Sequence, residues 1–156
     1  PVCEVALPKE APHPRGTHNL ASYRYGPTIT ASSADLSSFS HPSFVVDELR
    51  GASKSAKWMS AKGDRSPWIE IRFGGAHEVE RIAFSFAGSS GRFARGMTDY
   101  DIRCLGTKAA EVEVRGNRDA SPSHELSCRG ALGVRVDFLL GGNVVARVDE
   151  IEVFGR

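Results

Sequence analysis

The densest recognition chemistry in this 156-residue chain lies at 89–98, SSGRFARGMT. Arg92 and Arg95 carry guanidinium forks that match carboxylate or sulfate oxygens, Phe93 offers an apolar ring face, and the glycines let a ligand approach the backbone. That is binding chemistry. Hydrolysis by paired carboxylates needs two acids converging on one pocket. Here Glu70, Glu78, Glu80, Asp99, Asp101, Glu111 and Glu113 are spread over strand-like stretches and loops, and the Glu111/Glu113 alternation marks a solvated strand face. The chain has no GxSxG, HExxH, P-loop or GxGxxG pattern. Its five histidines (His13, His18, His41, His77 and His124) lack ligand spacing and read as surface residues. A non-catalytic protein is expected.

The elements that must position such loops are strands. Residues 66–86, SPWIEIRFGGAHEVERIAFSF, read as two strands joined by a tight turn at Gly74 and Gly75. Trp68, Glu70 and Arg72 alternate with Ile69, Ile71 and Phe73, and Ile82, Phe84 and Phe86 repeat at period two. Further alternation runs through Tyr100, Ile102 and Cys104, then Val112 and Val114, Leu126 and Cys128, and Val134 to Leu140, with a closing strand at 148–155. Only 44–49 suggests a helical turn, ended by Gly51. Turn signals every 8–15 residues give the rhythm of a sandwich, and no internal repeat is present. The fold class expected is all-β, an antiparallel β-sandwich of jelly-roll type.

Composition bounds the rest. Twenty Lys and Arg against 19 Asp and Glu leave no global electrostatic case for nucleic acid or a membrane surface. No apolar run approaches the ~20 residues of a membrane span. Residues 1–18 hold four prolines and read as an extended lead-in or linker, with one domain at 19–156. No signal peptide is visible, and with a start at Pro1 rather than Met a processed or trimmed chain is the expectation. Cys3, Cys104 and Cys128 are too few for a disulfide framework or a zinc site. Cys104 and Cys128 both fall on strand-like stretches and can pair or remain two buried thiols, so composition leaves the redox compartment open.

Seven stretches in order carry a resemblance: NLAS at 19–22, ITASS at 29–33, Asp47 ahead of Lys57 and Trp58, WIEIRFGG, VERIAFSF, DYDI and the closing DEIEVFG. Together they resemble the discoidin superfamily, the coagulation-factor type C domains and family 32 carbohydrate-binding modules, over about residues 19–155. The resemblance implies a galactose-binding-like jelly roll whose first and last strands pair. It places Trp58, Trp68, Tyr100 and Phe154 in or at the edge of the core rather than on a ligand platform. It also implies a site built by loops at one end, here 37–43, 61–66, 89–98 and 141–146. His41, Arg65, Arg92, Phe93, Arg95 and Asn143 are then the ligand-binding candidates. The Asn-Gly of family galactose binders is replaced by Ala94 and Arg95, and the loop arginines suit an acidic sugar better.

Many members of that superfamily hold a structural Ca²⁺, and the resemblance assigns Asp47 and Glu150 to it. The alternative is a loop in which Arg50, Lys54 and Lys57 neutralise Asp47. The function expected from the resemblance is carbohydrate or glycoprotein binding within a larger secreted or surface protein. Its rivals are a protein-interaction or adhesion domain, and peripheral phospholipid binding with Phe39, Phe93 and Met97 as inserted apolar residues.

Overall fold

The computed structural model describes residues 16–37, 40–48, 57–86, 97–108, 111–141 and 145–156. Among the described residues nine strands follow one another: β1 (His18–Asn19), β2 (Thr28–Ala31), β3 (Trp58–Met59), β4 (Trp68–Ser85), β5 (Asp99–Leu105), β6 (Val112–Val114), β7 (Ser123–Leu139), β8 (Arg147–Val148) and β9 (Glu150–Gly155). Two 3-10 turns, Tyr23–Tyr25 and Pro42–Val46, are the helical elements among the described residues. All strand pairings are antiparallel, as expected from the period-two patterns. The turn expected at 44–49 begins earlier, because His41 caps it and Pro42 supplies a preset φ at its first position.

Gly74 and Gly75 do not reverse the chain. Residues 68–85 form one 18-residue strand that pairs with the 17-residue β7 from Trp68↔Asp137 to Ala83↔Ser123. Irregular register between Arg72 and His77 absorbs extra β4 residues, so the glycines soften a bend instead of closing a hairpin. On the partner strand, Gly130 takes a φ of +70°. A Cβ at Gly133 would stand 2.2 Å from the Ile71 carbonyl oxygen, so the two strands approach there as only glycine permits.

The bend folds the β4–β7 ladder over itself. Its first part carries β2, β5 and β6 in one layer, and its second part carries β9 and β1 in the other. Between the layers lie Trp58, Ile69, Ile71, Ile82, Phe84, Tyr100, Ile102, Val134, Val136, Phe138 and Ile151. Aromatic rings bridge them: Tyr100 of β5 meets Phe84 at 5.3 Å and Phe86 at 5.6 Å. Cys104 of β5 and Cys128 of β7 form a disulfide across the same gap, which resolves the cysteine alternatives.

First and last strands pair, His18↔Gly155 and Asn19↔Phe154. The buried Asn19 side chain reinforces the join, its Oδ1 accepting the N–H groups of Val153 (3.0 Å) and Ala21 (3.2 Å). Trp58 is wholly buried, with Nε1 donating to the Ser33 carbonyl at 2.8 Å. Tyr100 and Phe154 are also buried. Trp68 is not a core residue: it lies half-buried on the outer face, opposite Asp137, because Ile69 and Ile71 take the inward positions of β4.

Candidate functional site

Strand ends fix where the loops emerge. Ala31 at the end of β2 pairs with Ile69 near the start of β4, and Asp99 at the start of β5 pairs with Leu139 at the end of β7. The Phe138 N–H also donates to the Pro67 carbonyl at 2.9 Å. The chain after β2, before β4, before β5 and after β7 is therefore rooted along one edge of a single layer. These are the four loop regions expected from the sequence. The bend at Gly130 and the β1–β9 join lie at the other end.

The region after β2 and the loop before β4 are locked together by Asp64. Its Oδ2 accepts from the hydroxyls of Ser32 and Ser33, each at 2.5 Å, and its Oδ1 accepts the Ser66 N–H at 3.1 Å. Burial pushes the Asp64 carboxyl up, but those three donors outweigh it and hold the group below the usual carboxylate range. Both serines also work in the opposite direction: Ser33 Oγ accepts the Ala61 N–H and Ser32 Oγ the Trp68 N–H. Gly63, at φ +93°, makes the turn between them possible. Farther along, Ser60 and Ala146 exchange two bonds, N–H to carbonyl at 3.0 Å and hydroxyl from N–H at 2.9 Å, tying the region after β7 to the same frame. This is the role of the ITASS stretch, and its long-range partners explain why it gave no local signal.

Two of the six ligand-binding candidates lie on that frame. Arg65 is exposed at the tip beside Asp64. His41 is exposed at the start of the second 3-10 turn, where Nδ1 accepts the Ser43 N–H at 3.2 Å and lies 2.7 Å from its hydroxyl. With Nδ1 accepting, the neutral ring carries its proton on Nε2. Arg92, Phe93, Arg95 and Asn143 lie outside the described residues, as do Phe39, Arg50 and Lys54. Met97 is 3% exposed and belongs to the core, so it is not an inserted apolar residue.

Sequence reasoning missed a fifth loop. Residues 115–122 follow β6 and return to the same end, where Gly116 N–H donates to Asp99 Oδ1 at 2.7 Å and Asn117 Nδ2 to the Met97 carbonyl at 3.0 Å. This loop presents Arg118. Leu36 was missed as well: it is 88% exposed at the apex of a turn in which Asp35 accepts from the N–H and hydroxyl of Ser37. Polar neighbours at 32–37 hid it.

Glu48, next to Asp47 in sequence, links the second 3-10 turn to Glu150. Asp47 ends that turn, and Glu48, at φ +61°, donates its N–H to Glu150 Oε1 at 3.1 Å. Glu150 is 1% exposed. Glu48 itself turns toward Arg24, Oε2 to Nε 3.4 Å. Carboxylate oxygens beside a turn that offers backbone carbonyls are a donor set that suits a hard cation. Among the described residues no group of three or more His, Cys, Asp and Glu forms, so the remaining ligands would be carbonyls or water. The charges that act on Lys57 are those of Arg147 and Asp149. Burial and Arg147 lower its pKa, and Asp149 partly restores it.

No family model matches the sequence, and no curated protein matches it significantly. Solved structures do match the fold. A fucose-binding module of Streptococcus pneumoniae is 21% identical, with a TM-score of 0.73 over 93% of this chain and all of that one. A chitosan-binding module from a Paenibacillus sp. IK-5 chitosanase/glucanase is 24% identical, with a TM-score of 0.67 over 87% of this chain and 98% of that one. A family 32 carbohydrate-binding module from C. perfringens, in complex with galactose, is 20% identical, with a TM-score of 0.65 over 82% and 93%. The chain has the galactose-binding-like, discoidin-type β-sandwich fold of these modules.

Proposed function

We propose that this protein is a non-catalytic carbohydrate-binding module that holds its ligand at the loop end of the sandwich. The observation that carries the reading is that the strand ends from which the expected binding loops leave share one edge, with Asp64 bracing the chain after β2 to the turn before β4 while Arg65 stays exposed. The sandwich interior is spent on the core, so exposed specificity belongs to loops held by a rigid scaffold. Solved modules of this fold that bind fucose, chitosan or galactose support the reading. The Cys104–Cys128 disulfide supports a place outside the reducing cytosol, in a secreted or surface protein. A single shallow sugar site is expected to be weak, with a Kd between ~10 µM and ~1 mM. Titration against neutral and acidic oligosaccharides tests the proposal: saturable binding that Arg65→Ala weakens supports it, and no binding of any glycan at millimolar concentration removes it.

A second reading, peripheral contact with phospholipid, has one observation in its favour. Leu36 stands almost wholly in solvent at the same end. Co-sedimentation with vesicles that is lost in Leu36→Ser would favour it. Capture of a protein partner in the absence of both activities would favour the interaction-domain reading.

A further inference from the structure

On the carbohydrate reading just given, we infer that the loop end selects an anionic sugar, one bearing a carboxylate or sulfate, with Arg65 and Arg118 as its charge-reading residues. Arg72 pairs with Glu70, Arg103 and Arg135 with Asp137, Arg115 with Asp101, Arg129 and Arg156 with Glu78, and Arg24 with Glu48. Arg81 lies over the Phe154 ring at 4.2 Å, and Arg147 is engaged as well. Among the described residues, Arg65 and Arg118 are the two arginines left without a partner, and both stand exposed on loops of the candidate end. Lys62, on the same turn as Arg65, is exposed and equally unpaired.

The acids of these loops are arranged in the opposite sense. Asp64 gives its oxygens to Ser32, Ser33 and Ser66, Asp99 to the Gly116 N–H, Asp119 to the Ser121 N–H, and Asp35 to Ser37. Each carboxylate is turned onto donors of its own frame, while the cations reach outward. The contrast is sharpest at the Arg65 turn, where both Asp64 oxygens are taken up by Ser32, Ser33 and Ser66, whereas Asp119 stays exposed beside Arg118. A guanidinium fork pairs with a planar carboxylate or a sulfate through two charge-assisted bonds, which a neutral hydroxyl cannot match. Leu36 adds an apolar contact on the region that Asp64 ties to the Arg65 turn.

The test is a calorimetric titration of the whole protein with a uronic-acid oligosaccharide and with the same oligosaccharide after carboxyl reduction. The acid is expected to bind about tenfold or more tightly than its reduced form. Arg65→Gln together with Arg118→Gln should bring the two affinities together. Neither side chain holds a partner, so an unchanged melting temperature will show that the variant folds. Equal affinity of the acid and reduced forms overturns the inference and leaves carbohydrate binding standing. A preference for the acid that survives the double variant overturns the assignment to these arginines. Binding of neither form, nor of any neutral glycan, overturns the carbohydrate reading itself.

Discussion

The Arg135 guanidinium lies 4.2 Å from the ring centroid of Trp68, and its Nη2 donates to Asp137 Oδ1 at 2.9 Å. Trp68 and Asp137 face each other across β4 and β7, so the arginine closes a small outer-face stack that also reaches Glu70, Nη1 to Oε2 3.7 Å. The stack covers an indole that the core does not need.

Removing that indole should therefore cost less than removing the other one. Trp58→Ala is expected to destabilise by ~3–5 kcal/mol, the range for large aromatics truncated in cores. Trp68→Ala should cost about 1–2 kcal/mol, from a lost cation–π contact and partial burial. Urea denaturation of both variants decides the order. Equal losses would return Trp68 to the core.

Glycines at the bend should differ just as sharply. Gly133→Ala puts a methyl 2.2 Å from a backbone oxygen that no rotamer can move, and a loss of more than about 3 kcal/mol, or failure to fold, is expected. Gly74→Ala meets nothing within 4 Å and should stay within about 1 kcal/mol of the parent. Melting curves that reverse this order would contradict the close approach of β4 and β7.

The disulfide closes a loop with a sequence separation of 24. Chain-entropy reasoning gives about 3 kcal/mol for a loop of that size. Denaturation with and without reductant, and of Cys104→Ala with Cys128→Ala, should each show a loss near that figure. Stability unaffected by reductant under conditions that free both thiols would show that the staple contributes nothing.

Acidification should reach the core through His124. The Tyr100 hydroxyl lies 2.7 Å from His124 Nε2, and burial lowers the imidazole pKa below 6.5. The folded protein thus binds that proton less readily than the unfolded chain. The stability concerned is complete above pH 6.5 and is lost as pH falls from there toward the folded value. Urea midpoints at pH 7.5 and 5.5 should separate for the parent and draw together for His124→Gln. An unchanged separation in the variant would assign the slope to other groups.

Calcium is tested by mass action. If Asp47 and Glu150 hold the ion, chelator should lower the melting temperature and Asp47→Ala should abolish that difference. A curve indifferent to both EDTA and added calcium would leave the Glu48–Glu150 hydrogen bond to close the turn alone.

The layers were legible because each strand writes its own period: Val134, Val136 and Phe138 alternate inward on β7 as their sequence pattern requires. The rooting of the loops along one edge was legible through a resemblance carried by seven ordered stretches. Continuity of β4 was not, since two adjacent glycines read alike for a turn and for a bend, and only pairing with β7 distinguishes them. Trp68 was misplaced because alternation alone does not say which of two apolar-bearing faces turns inward. Asp64 was invisible as an organiser, because its serine partners stand 31 and 32 residues away. Arg118 was passed over since nothing near it in sequence tells that β6 returns the chain to the loop end.

A ladder shared by both layers also governs how the molecule comes apart. Neither layer owns its central strands, so neither can peel away while the other stays folded. Opening at the bend would break the β4–β7 pairing for both at once, with the Cys104–Cys128 bond still holding the layers together. Slowly exchanging amides on β4 and β7 should then share one protection free energy, equal to that of global unfolding, and a single cooperative unit would carry the loops.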